Sequence, residues 1–259
     1  LFPYTTLFRS TIVMVETKPD RFYNLTLHTI GLIAKLPVIR VNRKAFLKKQ
    51  FSDSPDLNII LKHGPQAVYP VSVLEEKAHD IINKSTTKTS MASFAAGLPA
   101  NPIIMAAVGG ADVVQYFAFA INMAQQIAYI FGEDELFGSN TDTLPEEDKV
   151  KLIIYLGVMF GTAGAASMIA TLSKKSGESI GKRVAIQAAV MSTRHPLVKK
   201  VGSRIGHKIT TAHIEKTVTK AVPIIGGIIS GGLTYATFKP LGYRLAKVLA
   251  QNLKNNPQS

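Results

Sequence analysis

Asp112, Gln115, Asn122, Gln126 and Tyr129 recur at steps of three, seven, four and three residues, so a helix over 111–131 would gather them near one face. Val113, Val114, Phe117, Ala118, Ile121, Ala124 and Ile127 would cover much of the remainder. A polar stripe on so apolar a helix admits two chemistries. It can line a cavity or ion path, with Asp112 as an acid or base, or it can be a hydrogen-bonded seam between packed helices. In the second case Asp112 caps the helix start, where its charge meets the positive end of the helix dipole. Capping is the commoner use of Asp at such a position, so the seam is the preferred reading. Asp112, Gln115, Asn122 and Gln126 stand as the candidate site.

The remaining chemistry-bearing residues form no working set. Cys is absent, which excludes thiolate metal sites, iron–sulfur clusters, disulfides and Cys nucleophiles. His28, His63, His79, His195, His207 and His213 include no pair four apart and no H-E-x-x-H. Ser176 to Arg183 resembles a phosphate loop, but Gly177 and Gly181 are one residue too close and Arg183 stands where Ser or Thr should hold magnesium. Ser85 to Lys88 fits S-x-x-K without its partner motifs, and the acidic residues after Gly132 lack calcium-loop spacing. No catalytic residue, metal or cofactor is assigned, and a non-enzymatic role is preferred.

Charge and apolar surface are distributed more tellingly. The chain has 259 residues, enough for one or two domains with a full core, and carries a formal charge of +13 that favours an anionic partner. Between Lys174 and Lys220 eleven Lys or Arg face only Glu178 and Glu215, so nine of those thirteen charges sit there. Val198, Val201, Ile205, Ile209 and Ala212 keep a helical apolar stripe, with Lys199, Lys200, Arg204 and Lys208 on other faces. This is the form of an anionic-lipid contact, or of a solvated bundle face. Specific nucleic-acid recognition is disfavoured, because no aromatic residue lies between Gly161 and Thr234.

Three apolar stretches must be buried or inserted in a bilayer: 91–131, 152–173 and 221–238. Leu152 to Ser173 runs 22 residues without charge, which matches the hydrocarbon thickness of a membrane, and Gly157 with Gly161 offers a small face to another helix. Gly227 with Gly231 repeats that spacing. An acidic loop from Gly132 to Lys151, expected to be solvated, and Lys174, Lys175, Lys182 and Arg183 beyond the run satisfy a positive-inside arrangement. Smaller signals complete the reading. Val41 to Phe51 suits a short basic amphipathic helix, and Ser72 with Glu75 is a capping box for a helix burying Leu74, Ala78, Ile81 and Ile82. Thr143, Pro145 and Glu146 start another helix, Lys239 and Pro240 end the third apolar stretch, and Leu241 to Leu253 is amphipathic. Residues 1–10, LFPYTTLFRS, resemble a translated sequencing adapter and are set aside, so the natural amino terminus is expected to be missing. Residues 11–40 are expected to form a peripheral N-terminal arm, and 253–259 a C-terminal tail.

AAGLPANP (Ala95 to Pro102), ADVVQYFAFAINMAQQIAYIFGEDELF (Ala111 to Phe137) and KAVPIIGGIISGGLTYATF (Lys220 to Phe238) together resemble the EcsC protein family, and Val41 to Phe51 resembles its leading helix. The resemblance covers 41–252. It departs at Ala100-Asn101, where the family has Gly-Gly, and at Gly110, where it has Pro. It implies a mostly helical bacterial protein, named after a gene that accompanies ABC-transporter components, and it supplies no catalytic residues. The expectation is an all-α domain of Gly/Ala-rich and basic amphipathic helices at the cytoplasmic membrane. Its expected role is non-enzymatic, at an anionic membrane surface and with membrane-protein or transporter components as further partners. The alternative is a cytoplasmic ligand-binding protein or hydrolase using the seam around Asp112.

Overall fold

The computed structural model describes residues 18–87, 90, 111–137, 144–174, 200–205 and 231–256, and every regular element there is helical. In chain order these are α1 (Lys18–Ile33), α2 (Arg43–Gln50), α3 (Leu57–His63), α4 (Val71–Ser85), α5 (Ala111–Ile130), α6 (Glu146–Met159), α7 (Ala165–Lys174) and α8 (Gly231–Asn255). Short 3-10 turns cover Pro37–Ile39 and Pro65–Ala67, and 200–205 is helical.

α5 is the axis of the bundle. It packs against α1, α2, α4, α6, α8 and both 3-10 turns, as expected of a helix that is apolar nearly all round. Phe117 to Ile121 and Met123 to Phe131, apart from Gln126, are buried on it. This part of the first apolar stretch is protein core; 91–110 lies outside the described residues. α8 closes the bundle over α4, α5, α6 and α7. Its Gly242 lets α4 approach so closely that a Cβ there would meet Ile82 Cγ1 at 2.9 Å.

The 22-residue uncharged run is not one span. α6 stops at Met159 because Gly161 takes a φ of +68°, and the turn closes with Gly161 N–H donating to Val158 O at 3.0 Å and Thr162 N–H to Gly157 O at 2.8 Å. These are the paired bonds of a Schellman motif, which glycine permits because it has no Cβ to clash at positive φ. Gly164, at φ +90°, turns the chain into α7. Fourteen helical residues rise roughly 21 Å, short of a bilayer's hydrocarbon core. Among the described residues no helix is long and apolar enough to cross a membrane.

Several local expectations are corrected. Residues 18–40, expected at the periphery, place Tyr23, Ile30, Ile33, Ala34, Leu36 and Ile39 in the core. Thr26 and Thr29, buried as well, interrupt the apolar pattern and obscure it in the sequence. The Ser72–Glu75 capping box does not form: α4 starts two residues earlier than a Ser72 cap would set it, after Pro70, whose carbonyl receives Val73 and Leu74 N–H. Glu75 instead accepts from Lys254 Nζ at 2.8 Å. Pro240 lies inside α8 rather than ending a helix, on an exposed face between buried Phe238 and Leu241. Core packing on both sides outweighs the lost backbone bond. α2 forms as expected, capped by Asn42 Oδ1, which accepts from Ala45 N–H at 2.8 Å.

Candidate functional site

α5 presents the candidate polar residues, and the structure shows how they are used. Asn122 Nδ2 donates to the carbonyls of Val38 and Ile39, each at 3.3 Å, and Asn122 Oδ1 accepts from Gln126 Nε2 at 2.6 Å. Tyr129 Oη accepts from the Leu136 amide at 3.2 Å. Gln115 is half-buried, and the side chain of Asp112 lies outside the described residues. The stripe therefore stitches the segment joining α1 to α2, and the loop after α5, onto the central helix.

Gln125 is the residue the stripe misses. It is fully buried, its Nε2 donates to Ile39 O at 2.8 Å and to Ile121 O at 3.1 Å, and its Oε1 accepts from Val41 N–H at 3.0 Å. A buried amide satisfied on both ends fixes geometry rather than performing chemistry. The only signal for it in the sequence is a second Gln beside Gln126 in an apolar helix.

A second polar cluster lies where a solvated acidic loop is expected. Gly132, at φ +87°, ends α5 with the same Schellman pairing, Gly132 N–H to Tyr129 O and Glu133 N–H to Ala128 O. This turn brings Glu133 beside Lys151 of α6, Nζ to Oε2 at 3.2 Å, with side chains 8% and 17% exposed. Arg43 binds the same loop, Nε to Glu133 O at 2.8 Å, and reaches Leu61 O through Nη1 at 3.1 Å. Leu136 and Phe137 are buried, so this end of the loop is anchored rather than solvated. Burial pushes the Tyr155 phenol well above its usual range, and the negative charge of Glu133 adds to the effect. Burial likewise raises Tyr129, and takes Tyr116 from 10.0 to about 12.

The basic residues divide. Lys200 and Arg204 are exposed while Val201 and Ile205 are buried, so this turn faces the core with its apolar side and leaves its cations outward; Lys199 and Lys208 lie outside the described residues. The turn is held from two sides. Thr26 Oγ1 donates to Gly202 O at 2.7 Å, and a Cβ on Gly202 would meet Tyr23 Cδ2 at 2.5 Å. A Cβ on Gly157 would collide with Val201 Cγ1. Gly157 thus serves a close approach, whereas Gly161, expected to share that face, serves the turn: a Cβ there would meet only Arg244 Nη1, at 4.0 Å. Gly231 begins α8, and Gly227 lies outside the described residues.

Asn122 and Gln126 also form part of the wall of a cleft of about 530 Å³ between α2, α4 and α5. Lys49 comes from α2, and Lys77, Asp80, Lys84 and Ser85 from α4. Lys84 Nζ pairs with Asp80 Oδ2 at 2.6 Å, and Lys77 Nζ stands 5.3 Å from the centre of the Phe51 ring. The described residues hold no group of three His, Asp or Glu that could bind a metal ion. No protein-family model matches the chain, and neither does any curated protein or solved structure.

Proposed function

We propose that this chain is a non-enzymatic helical protein, akin to the EcsC family, that associates peripherally with the cytoplasmic membrane and acts beside membrane-protein or transporter components in transport or secretion. The observation that supports it is the division at 200–205, where Val201 and Ile205 enter the core and Lys200 and Arg204 stay outside. An amphipathic turn already paired with protein on its apolar side offers lipid its charge rather than its hydrophobic face. Attraction to anionic headgroups is then electrostatic, about 1 kcal/mol for each Lys or Arg close to the surface, and falls within a Debye length. The dense cationic run between Lys174 and Lys220 adds to the same attraction.

Cosedimentation with phosphatidylcholine vesicles, with and without phosphatidylglycerol, tests this. Binding should require phosphatidylglycerol, reverse in high salt without detergent, and weaken in the Lys200→Gln/Arg204→Gln variant. A chain that stays in the supernatant with phosphatidylglycerol vesicles at low salt overturns the proposal.

A further inference from the structure

We infer that the cleft between α2, α4 and α5 binds a phosphomonoester: a small ligand with one phosphate group and neighbouring hydroxyls. This site is separate from the cationic turn at 200–204 and does not depend on the lipid contact proposed there. Its volume, about 530 Å³, falls within the range of small-molecule sites.

The lining selects the chemistry. Lys49 of α2 and Lys77 and Lys84 of α4 line the cleft, and no Arg is among its described lining residues. Ammonium groups on separate flexible stems bind a phosphate as point charges, without the fork through which a guanidinium grips either a phosphate or a carboxylate. Among the described residues Lys84 Nζ is held by an exposed pair with Asp80, four residues back on α4, with side chains 76% and 46% exposed. Water screens such a pair, so a phosphate can take the cation in exchange. Lys77 is steadied over Phe51, which itself stacks on Tyr69 at 5.4 Å between ring centres.

Asp53 and Asp80 lower the formal charge of the described lining residues to one positive unit, which argues for a single phosphate over a polyphosphate. Their carboxylates are acceptors for ligand hydroxyls, and the Ser85 hydroxyl and Gln126 amide add donors and acceptors of the same kind. Among the described lining residues Phe119 is the only ring and is 6% exposed, so none of them offers an aromatic face to a nucleobase.

A soluble ester and the headgroup of phosphatidic acid share this chemistry. The test uses the full chain, with glycerol 3-phosphate followed by calorimetry and phosphatidylcholine vesicles followed by flotation with and without phosphatidic acid. Saturable binding of glycerol 3-phosphate but not glycerol, weakened about tenfold or more by Lys49→Gln/Lys77→Gln and unchanged in Lys200→Gln/Arg204→Gln, supports a soluble ester. Vesicle binding that prefers phosphatidic acid over phosphatidylglycerol, and loses that preference in the same cleft variant, supports the lipid source. Should removing Lys77 from Phe51 unfold the chain, Lys49→Gln/Lys84→Gln makes the same comparison. Absence of saturable binding by either probe overturns the inference, as does equal weakening by the cleft and the 200–204 variants.

Discussion

Lys151 and Glu133 form a pair whose worth depends on both partners staying. Each has been taken largely out of water, so removing one leaves the other charge to bear its desolvation cost without its ion-pair partner. Lys151→Met should destabilise the fold by about 3–5 kcal/mol, and adding Glu133→Gln should restore a large part. Urea unfolding of the single and double variants measures both. The tyrosines set the response to alkali. Tyr116 is held up to about 12, and Tyr129 and Tyr155 lie above 10.0 in the fold, for the same first reason, burial. The unfolded chain then releases phenolic protons that the folded chain retains, so stability is level below pH 10 and declines as pH climbs toward 12. Unfolding midpoints from pH 8 to 11.5 should show that decline, and Tyr116→Phe should make it shallower. None of this is legible in the residue types. Lys151 stands in the sequence as one more charge at the edge of an acidic loop, and only the turn at Gly132 makes it a buried partner.

The helix ends separate two glycines that look equivalent in sequence. Gly157→Ala drives a methyl into Val201, and overpacking of this kind costs typically about 1–3 kcal/mol. Gly161→Ala meets no close neighbour, but places a Cβ at φ +68°, for a penalty of roughly 1–2 kcal/mol. Thermal melts distinguish the causes: Val201→Ala should recover stability in the first variant and none in the second. The same pair marks what is readable in the chain. Gly157 announces a close approach through Gly161 four residues on, while a Schellman turn depends on which glycine the packing puts at positive φ. Leu74, Ala78, Ile81 and Ile82 are readable because their spacing makes one unbroken stripe; Tyr23, Ile30 and Ile33 are not, because buried threonines sit among them.

For the whole molecule, helical content and an apolar centre follow from forty-odd residues bearing one charge between Ser90 and Gly132. The choice between a lipid-spanning and a protein-packed arrangement does not follow from hydropathy, which is the same for both. Among the described residues it follows from turns and neighbours: α6 and α7 divide the 22-residue uncharged run 152–173, and α5 is packed against α1, α2, α4, α6 and α8. The candidate site is half legible for a related reason. Asn122 and Gln126 fall on a readable helical face, but the lysines across the cleft come from α2 and α4, whose distance along the chain hides that they meet.

Asn122 belongs both to the wall of that cleft and to the backbone strap between α1 and α2. Gln126 is therefore linked, through two amides in series, to the carbonyls of Val38 and Ile39. A short chain of hydrogen bonds thus ties the polar hollow to the 3-10 turn that follows the first helix.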